Sequence, residues 1–212
     1  MPPRRWIAAG ALAVAAASVA APLPAQPAGG EAPDWPCVQR KVATLTPATI
    51  WTGPAIETAG SDWAADAEVA DLVARLAQRR LPLEEAEAEV SAFAASLPEG
   101  EREARLTRLF TGLFETMNRE RGEIMEGIER FARRQRELAE EVRAEAARLG
   151  EARAAPGADP TTLAEAQAAL DFRIRAYNER RASLTYACEV PRIVESRLFA
   201  LGRAISGEIE GG

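Results

Sequence analysis

The chain contains no histidine, and lysine occurs only once, at Lys41. The absence of histidine excludes the usual serine and cysteine hydrolase triads, the Glu-x-x-His di-iron bundles and the histidine zinc sites. No glycine-rich phosphate-binding loop occurs, because the 15 glycines are scattered through the sequence. A catalytic pair of carboxylates remains as an alternative, but Glu126 and Glu129 precede Arg130 and Arg133 by four residues, which is typical of a solvated helix face. We therefore predict that the protein is not an enzyme and binds no metal or other cofactor.

The sequence also lacks strand patterns, since no run of alternating β-branched residues is long enough to form a strand. Alanine, glutamate and arginine dominate after residue 60, and these residues favour helix. The sequence therefore predicts an all-α fold, with one helical domain over residues 61–212.

Long apolar runs are absent except for the stretch from Trp6 to Ala21, which follows Arg4 and Arg5. This run of about 15 residues is shorter than the roughly 20 that cross a bilayer. A basic start, a short apolar centre and small residues before a polar stretch are typical of a secretory signal peptide. We predict a signal peptide over residues 1–25, cleaved after Ala20 or Ala25, with an uncleaved membrane anchor as the alternative. The cleaved protein would have no transmembrane segment and would be periplasmic or secreted.

Positive charge is outweighed by negative charge, with 26 lysines and arginines against 32 aspartates and glutamates. The formal net charge is −6, and removal of Arg4 and Arg5 with the signal peptide makes it −8. Binding to nucleic acid depends on neutralising phosphates. The acidic balance therefore predicts that nucleic acid is not a partner.

Only two cysteines occur, Cys37 and Cys188. An even number of cysteines in an exported chain favours a disulfide. This bond would close almost the whole exported chain into one loop, which corresponds to a stabilisation of roughly 5 kcal/mol at most. Two free thiols or a reactive pair are the alternatives.

Residues 26–60 differ from the rest of the chain, and we call them the strap. Five prolines exclude one continuous helix over this segment. Thr46 and Pro47 are typical of the start of a short helical turn reaching Trp51. We expect an irregular strap that is fixed to the helices through Cys37. Trp35 and Trp51 either form an aromatic surface for a ligand or partner, or anchor the strap by burying their indoles.

The long region from Glu99 to Gly150 has apolar residues at alternating steps of three and four, as in a coiled coil. We call these positions the heptad stripe, and from residue 117 they are Met117, Arg121, Ile124, Ile128, Phe131, Gln135, Leu138, Val142, Glu145 and Leu149. The pattern resumes after a Pro/Gly turn at Leu163, Gln167, Leu170, Ile174, Tyr177, Arg181, Leu184 and Cys188. Two such stripes predict an antiparallel coiled-coil hairpin. Its arm comprises residues of about 118–150 and 160–188.

Shorter helices are predicted on the N-terminal side of the hairpin. One begins at Ser61 and runs to about Arg79, a second starts at Pro82, and a capping box at Ser96 starts the long helix. Wider apolar faces before Met117 and after Pro191 predict a small bundle, the base, from which the arm projects. The returning helix is capped by Asp159, is kinked or interrupted at Pro191, and frays from Gly207.

Pairing Leu149 with Leu163 gives a register that places Cys188 near Ile124, at the root of the arm. The same register brings two groups of arginines together halfway along the arm. We call them the arginine band: Arg130, Arg133, Arg134, Arg136, Arg173, Arg175, Arg180 and Arg181. The band either binds an anionic partner or is ordinary flanking charge paired with glutamates. Gln135 and Arg181 occupy heptad positions and are expected to be buried, where they fix the register or leave the stripe open to another helix.

The leading functional hypothesis is an exported, non-enzymatic protein of the cell envelope that uses its hairpin as a protein-interaction, scaffold or client-holding module. A lone two-helix arm buries little apolar surface, which favours a use for its length or its surface. The partner would be an unidentified envelope protein or an anionic surface, and a homo-oligomer through the hairpin is a further alternative. A second hypothesis is a small-molecule or anion-binding module with its site between the strap and the base.

Overall fold

A computed structural model describes residues 34–56 and 62–211, so the predicted signal peptide lies outside the described residues. The helices are α1 (Ala67–Leu76), α2 (Leu83–Ser96), α3 (Glu99–Ala154) and α4 (Pro160–Glu210). Short 3₁₀ turns occur at Pro47–Thr49 and Trp63–Ala65. These ranges contain no β-strand, and the predicted all-α fold is confirmed.

The helix starts agree with the prediction at some positions and differ at others. The Asp159 carboxylate accepts a hydrogen bond from the Thr162 amide at 2.9 Å, which confirms it as the cap of α4. The predicted start of the first helix, Ser61, lies outside the described residues. Within them, α1 begins only at Ala67, where the Asp66 carboxylate accepts from the Val69 amide. The predicted capping box is wrong, because the Ser96 hydroxyl donates instead to the Phe93 carbonyl at the end of α2.

Helix α4 is longer and more regular than predicted. It continues through Pro191, so a second helix does not begin there, and it reaches Glu210, so the expected fraying from Gly207 is wrong. Pro191 is buried, as are residues on the turns that follow it. Burial of this apolar face against the base stabilises the helix despite the hydrogen bond that proline cannot donate.

The hydrophobic core lies in the base, as the wide apolar faces predicted. It combines α1 and α2 with the start of α3, up to Met117, and the end of α4, from Val194. Ile50 of the strap also belongs to this core. Gly112 permits its close packing, because a Cβ there would lie 2.7 Å from Val73 Cγ2 and 2.8 Å from the Trp63 ring.

The arm extends from this base as a pair of antiparallel helices. Helix α3 has 56 residues, which corresponds to about 84 Å at 1.5 Å per residue. The arm's buried residues, such as Ile128, Ala132, Leu149 and Leu170, lie outside the core of the base. Among the described residues, no helix is both long enough and apolar enough to cross a bilayer.

The register of the hairpin differs from the prediction toward its tip. Polar pairs between α3 and α4 join residues four to eight positions further along α4 than predicted: Arg121 with Glu195, Glu145 with Arg173, and Arg153 with Gln167. The prediction paired Leu149 with Leu163, whereas the buried leucine of α4 in this region is Leu170. Ile174, which was expected in the heptad stripe, is exposed.

Candidate functional site

The root of the arm is fixed to the strap by a disulfide. Cys37 and Cys188 are bonded, with a Cα–Cα distance of 5.6 Å, which confirms the predicted pairing and its place near Ile124. Both cysteines are buried in a small cluster with Trp35, Met125 and Ile128. The covalent link and this cluster hold the strap across the two helices where they leave the base.

Arg121 is the main polar link between the strap and the root. Its guanidinium donates to the Val42 carbonyl at 2.7 Å, to the Ala43 carbonyl at 3.4 Å and to Glu195 of α4 at 2.6 Å. The side chain is 3% exposed, whereas Glu195 is 36% exposed. Arg121 was recognised in the sequence only as a polar member of the heptad stripe. An arginine at a heptad position is expected to be buried, and a buried guanidinium needs several hydrogen-bond acceptors. That position was the signal in the sequence that Arg121 contacts several elements at once.

Other strap residues contact the same root. The Lys41 ammonium forms an ion pair with Glu129, and the Gln39 amide donates to the Cys188 carbonyl. Asp34 forms ion pairs with Arg133 and Arg136 of α3. Hydrogen bonding to Arg133 is the main reason that the pKa of Asp34 is lowered, and the charge of Arg136 lowers it further. The strap therefore reaches into the arginine band.

The two strap tryptophans pack against other side chains of the protein. Trp35 is buried in the disulfide cluster, and its indole nitrogen donates to the Gln39 carbonyl at 2.7 Å. Trp51 stacks on Phe110 of the base with ring centroids 4.1 Å apart. These contacts favour the interpretation of Trp35 and Trp51 as anchors of the strap, because Trp35 is buried and the partly buried Trp51 stacks on Phe110.

Half of the arginine band is neutralised within the protein. Arg133 and Arg136 contact Asp34, Arg130 contacts Glu126 on the same helix, and Arg173 contacts Glu145 across the hairpin. In the described part of the chain, the other four band members form no ion pair, and all four are exposed: Arg134, Arg175, Arg180 and Arg181. The candidate anion-binding group is thus four arginines rather than eight.

The two polar heptad residues have different environments. Gln135 is buried, as expected, and its side-chain oxygen has no hydrogen-bond partner within the described ranges. Arg181 is exposed, so the prediction that it lies between the helices is wrong. The neighbouring heptad positions of α4, Tyr177 and Leu184, are partly buried, so Arg181 is exposed although it belongs to the stripe that faces α3.

A second row of residues with heptad spacing runs along the solvent side of α4, and we call it the outer stripe. Its members follow one another at steps of three and four, and every one is exposed: Ala168, Phe172, Arg175, Glu179, Ala182, Tyr186, Glu189, Ile193 and Ser196. Phe172, Tyr186 and Ile193 are 68%, 78% and 53% exposed. This row was not predicted from the sequence, because one heptad stripe on each helix is enough to form the hairpin.

A cavity of about 530 Å³ lies between the strap and α3. Lys41 and Arg119 supply positive charge to its lining, Glu115 and Glu126 supply negative charge, and Phe114 and Met125 supply apolar surface. Neither strap tryptophan lines it. In the part of the chain that the structure describes, no group of three or more cysteine, aspartate or glutamate residues is arranged to hold a metal ion.

Comparison with known proteins does not assign a function to this region, because no protein-family model, curated protein or solved structure matches the chain.

Proposed function

We propose that the chain is an exported, non-enzymatic helical protein of the cell envelope that acts through its arm as a protein-interaction module, serving as a scaffold or a client-holding element. The observation that carries this proposal is the outer stripe. Three large apolar side chains of α4 stay in solvent at intervals of seven or fourteen residues. A row with this spacing matches the contact surface of another helix.

The way in which the strap holds the root supports the same proposal. The disulfide, the Arg121 hydrogen bonds and the Asp34 ion pairs all fix the arm where it leaves the base. A rigid root presents the arm in one direction, which reduces the ordering cost of binding. The disulfide also supports export, because such bonds persist in oxidising compartments.

The test compares three forms of the full chain as baits in an envelope extract with chemical crosslinking. These are the wild type, the double variant Phe172→Ser/Tyr186→Ser, and the control Val38→Ser, which removes a fully exposed apolar side chain from the strap. We expect the wild type and the control to capture the same proteins and the double variant to lose them. Equal capture by all three forms, and by a chain lacking residues 130–181, would refute a role for the arm.

The cavity between the strap and α3 favours a second candidate function, the binding of a small molecule or anion. Its lining combines charges of both signs with apolar surface, as ligand sites commonly do. Gly122 lines the cavity, and a Cβ at this position would meet no atom within 4 Å. If the cavity binds envelope metabolites, the full chain will show ligand-dependent thermal stabilisation that Gly122→Leu removes. Equal thermal stabilisation of the wild type and Gly122→Leu would show that the ligand binds outside this cavity.

A further inference from the structure

The outer stripe has a self-complementary order about Ala182. Arg175 lies seven residues before this alanine, and Glu189 lies seven residues after it. Phe172 and Ile193 lie at nearly equal distances on the two sides, and so do Glu179 and Tyr186. Two copies of α4 related by a two-fold axis at Ala182 would therefore bring unlike and compatible side chains to the same level.

In this antiparallel arrangement, Arg175 of each copy faces Glu189 of the other, and Phe172 faces Ile193. The Tyr186 hydroxyl can donate to the Glu179 carboxylate of the other copy. Arg175 forms no ion pair in the described part of its own chain, while Glu189 contacts Arg192 at 3.0 Å. The incoming arginine would thus join an existing pair between exposed side chains.

A parallel arrangement of the same two helices is disfavoured by charge. It would place Arg175 against Arg175, Glu179 against Glu179 and Glu189 against Glu189, and like charges that face each other oppose association. The antiparallel arrangement replaces all three repulsive levels with favourable ones. The charge order therefore selects one orientation.

The aromatic side chains of the outer stripe supply a large part of the surface that a stable dimer buries. Each aromatic side chain buries about 150–250 Å² when fully covered. Phe172 and Tyr186 are 68% and 78% exposed. From two copies they thus supply roughly 440–730 Å² before Ile193 and the remaining stripe are counted. Stable interfaces bury about 1,200–2,000 Å² in total. Ala182 at the centre has a small side chain, so the two backbones can approach closely.

We propose that a second copy of this chain docks on the outer stripe of α4, antiparallel and with its two-fold axis at Ala182, to form a homodimer through the arms. This inference rests on the proposed function, because it names the partner of the same surface. The contact is isologous, so it closes on itself and stops at two chains.

The first test is a charge exchange in the full chain, followed by sedimentation velocity and light scattering. The wild type is expected to contain two chains per particle. Arg175→Glu and Glu189→Arg each create two like-charge levels and should weaken the dimer by at least about tenfold. The double exchange Arg175→Glu/Glu189→Arg restores unlike pairs and should restore the dimer. Failure of the double exchange to recover any association would overturn the proposed pairing.

The second test uses introduced cysteines, with peptide mapping to verify that the Cys37–Cys188 bond is retained. Ala182→Cys should form an intermolecular disulfide, because the two-fold axis brings this position next to its own copy. Ala168→Cys should not, because in the antiparallel dimer its two copies lie about 42 Å apart along the helices. Linkage at position 168 but not at 182 would overturn the antiparallel arrangement.

The dimer and the proposed function fail in different ways. A wild type that stays a single chain at high micromolar concentration overturns the dimer. If the arm then still captures an envelope protein and Phe172→Ser/Tyr186→Ser abolishes the capture, the proposed function stands without the dimer. Linkage at Ala182→Cys together with two chains per particle supports the dimer whatever the extract experiment yields.

Discussion

At the scale of single residues, buried polar groups link the strap and the helices of the base. The Arg121 guanidinium donates hydrogen bonds to two strap carbonyls and to the Glu195 carboxylate. Arg197 is also buried and donates to the carbonyls of Leu76 and Leu81, just where α1 ends. Burial lowers the pKa of Arg197. Both arginines connect segments far apart in sequence, so their loss should destabilise the whole base.

Replacing Arg121 with alanine should lower the free energy of unfolding by about 1–3 kcal/mol, because the Val42 and Ala43 carbonyls lose their donor. Urea denaturation measures the change. Arg119→Ala is the matched control. Arg119 is exposed, and its one ion pair among the described residues is with Glu123 on its own helix, where such a pair contributes a few tenths of a kcal/mol. Similar losses in the two variants would contradict the linking role of Arg121.

The stability should also depend on pH through Asp66. A hydrogen bond from Arg105 is the largest cause of its lowered pKa, and the Val69 amide adds to the effect. Since the folded-state pKa is below the ordinary value of 3.8, the stabilisation is present above that pH and is lost as the pH falls through the folded-state value. We expect Asp66→Asn to show a smaller fall in melting temperature between pH 6 and pH 3 than the wild type. Equal slopes would contradict this account.

At the scale of secondary-structure elements, the heptad pattern was enough to predict the two long helices, the turn between them and the place of the disulfide. The pattern could not specify the register, because leucines recur along α4 and only packing shows that Leu170 rather than Leu163 is buried. The boundary of α1 was missed for a similar reason. Asp66 caps that helix while its carboxylate is held by Arg105 of α3, a contact far away in sequence.

The candidate site was predicted only in part. Arginine clustering was visible in the sequence, but the neutralisation of Arg133 and Arg136 depends on Asp34, about a hundred residues away in a segment without regular structure. The outer stripe has the same spacing as the heptad stripe, and sequence alone does not show which stripe faces α3. The packing of both tryptophans against the helices likewise depends on where the strap crosses them.

A substitution at Gln135 tests the packing between the two helices of the arm. Its side-chain oxygen is buried without a partner in the described part of the chain. Gln135→Leu should therefore raise the melting temperature, corresponding to about 1 kcal/mol of added stability, because an unsatisfied polar group is removed. Gln78→Leu, at an exposed position in the turn that follows α1, is a control for added hydrophobicity. An unchanged or lower value for Gln135→Leu would show that the amide is satisfied in solution.

At the scale of the whole molecule, the disulfide joins the strap to the root of a long arm and closes most of the described chain. Replacing both cysteines with alanine should destabilise the protein by about 2–5 kcal/mol. Hydrogen exchange should then increase most around Met125 and Ile128, which share the buried cluster with the disulfide. Exchange that increases only in α1 and α2 would contradict the role of the bond in holding the root.

The central claim is that the arm is an interaction surface, and photo-crosslinking tests it most directly. A photoreactive amino acid at Glu179, in the outer stripe, is compared with one at Glu103, an exposed position of α3 in the base. We expect crosslinked adducts from position 179 in cells that export the protein, with none above background from position 103. A mass of two chains would identify a second copy as the partner. Equal labelling at both positions, or no adduct from position 179, would contradict the claim.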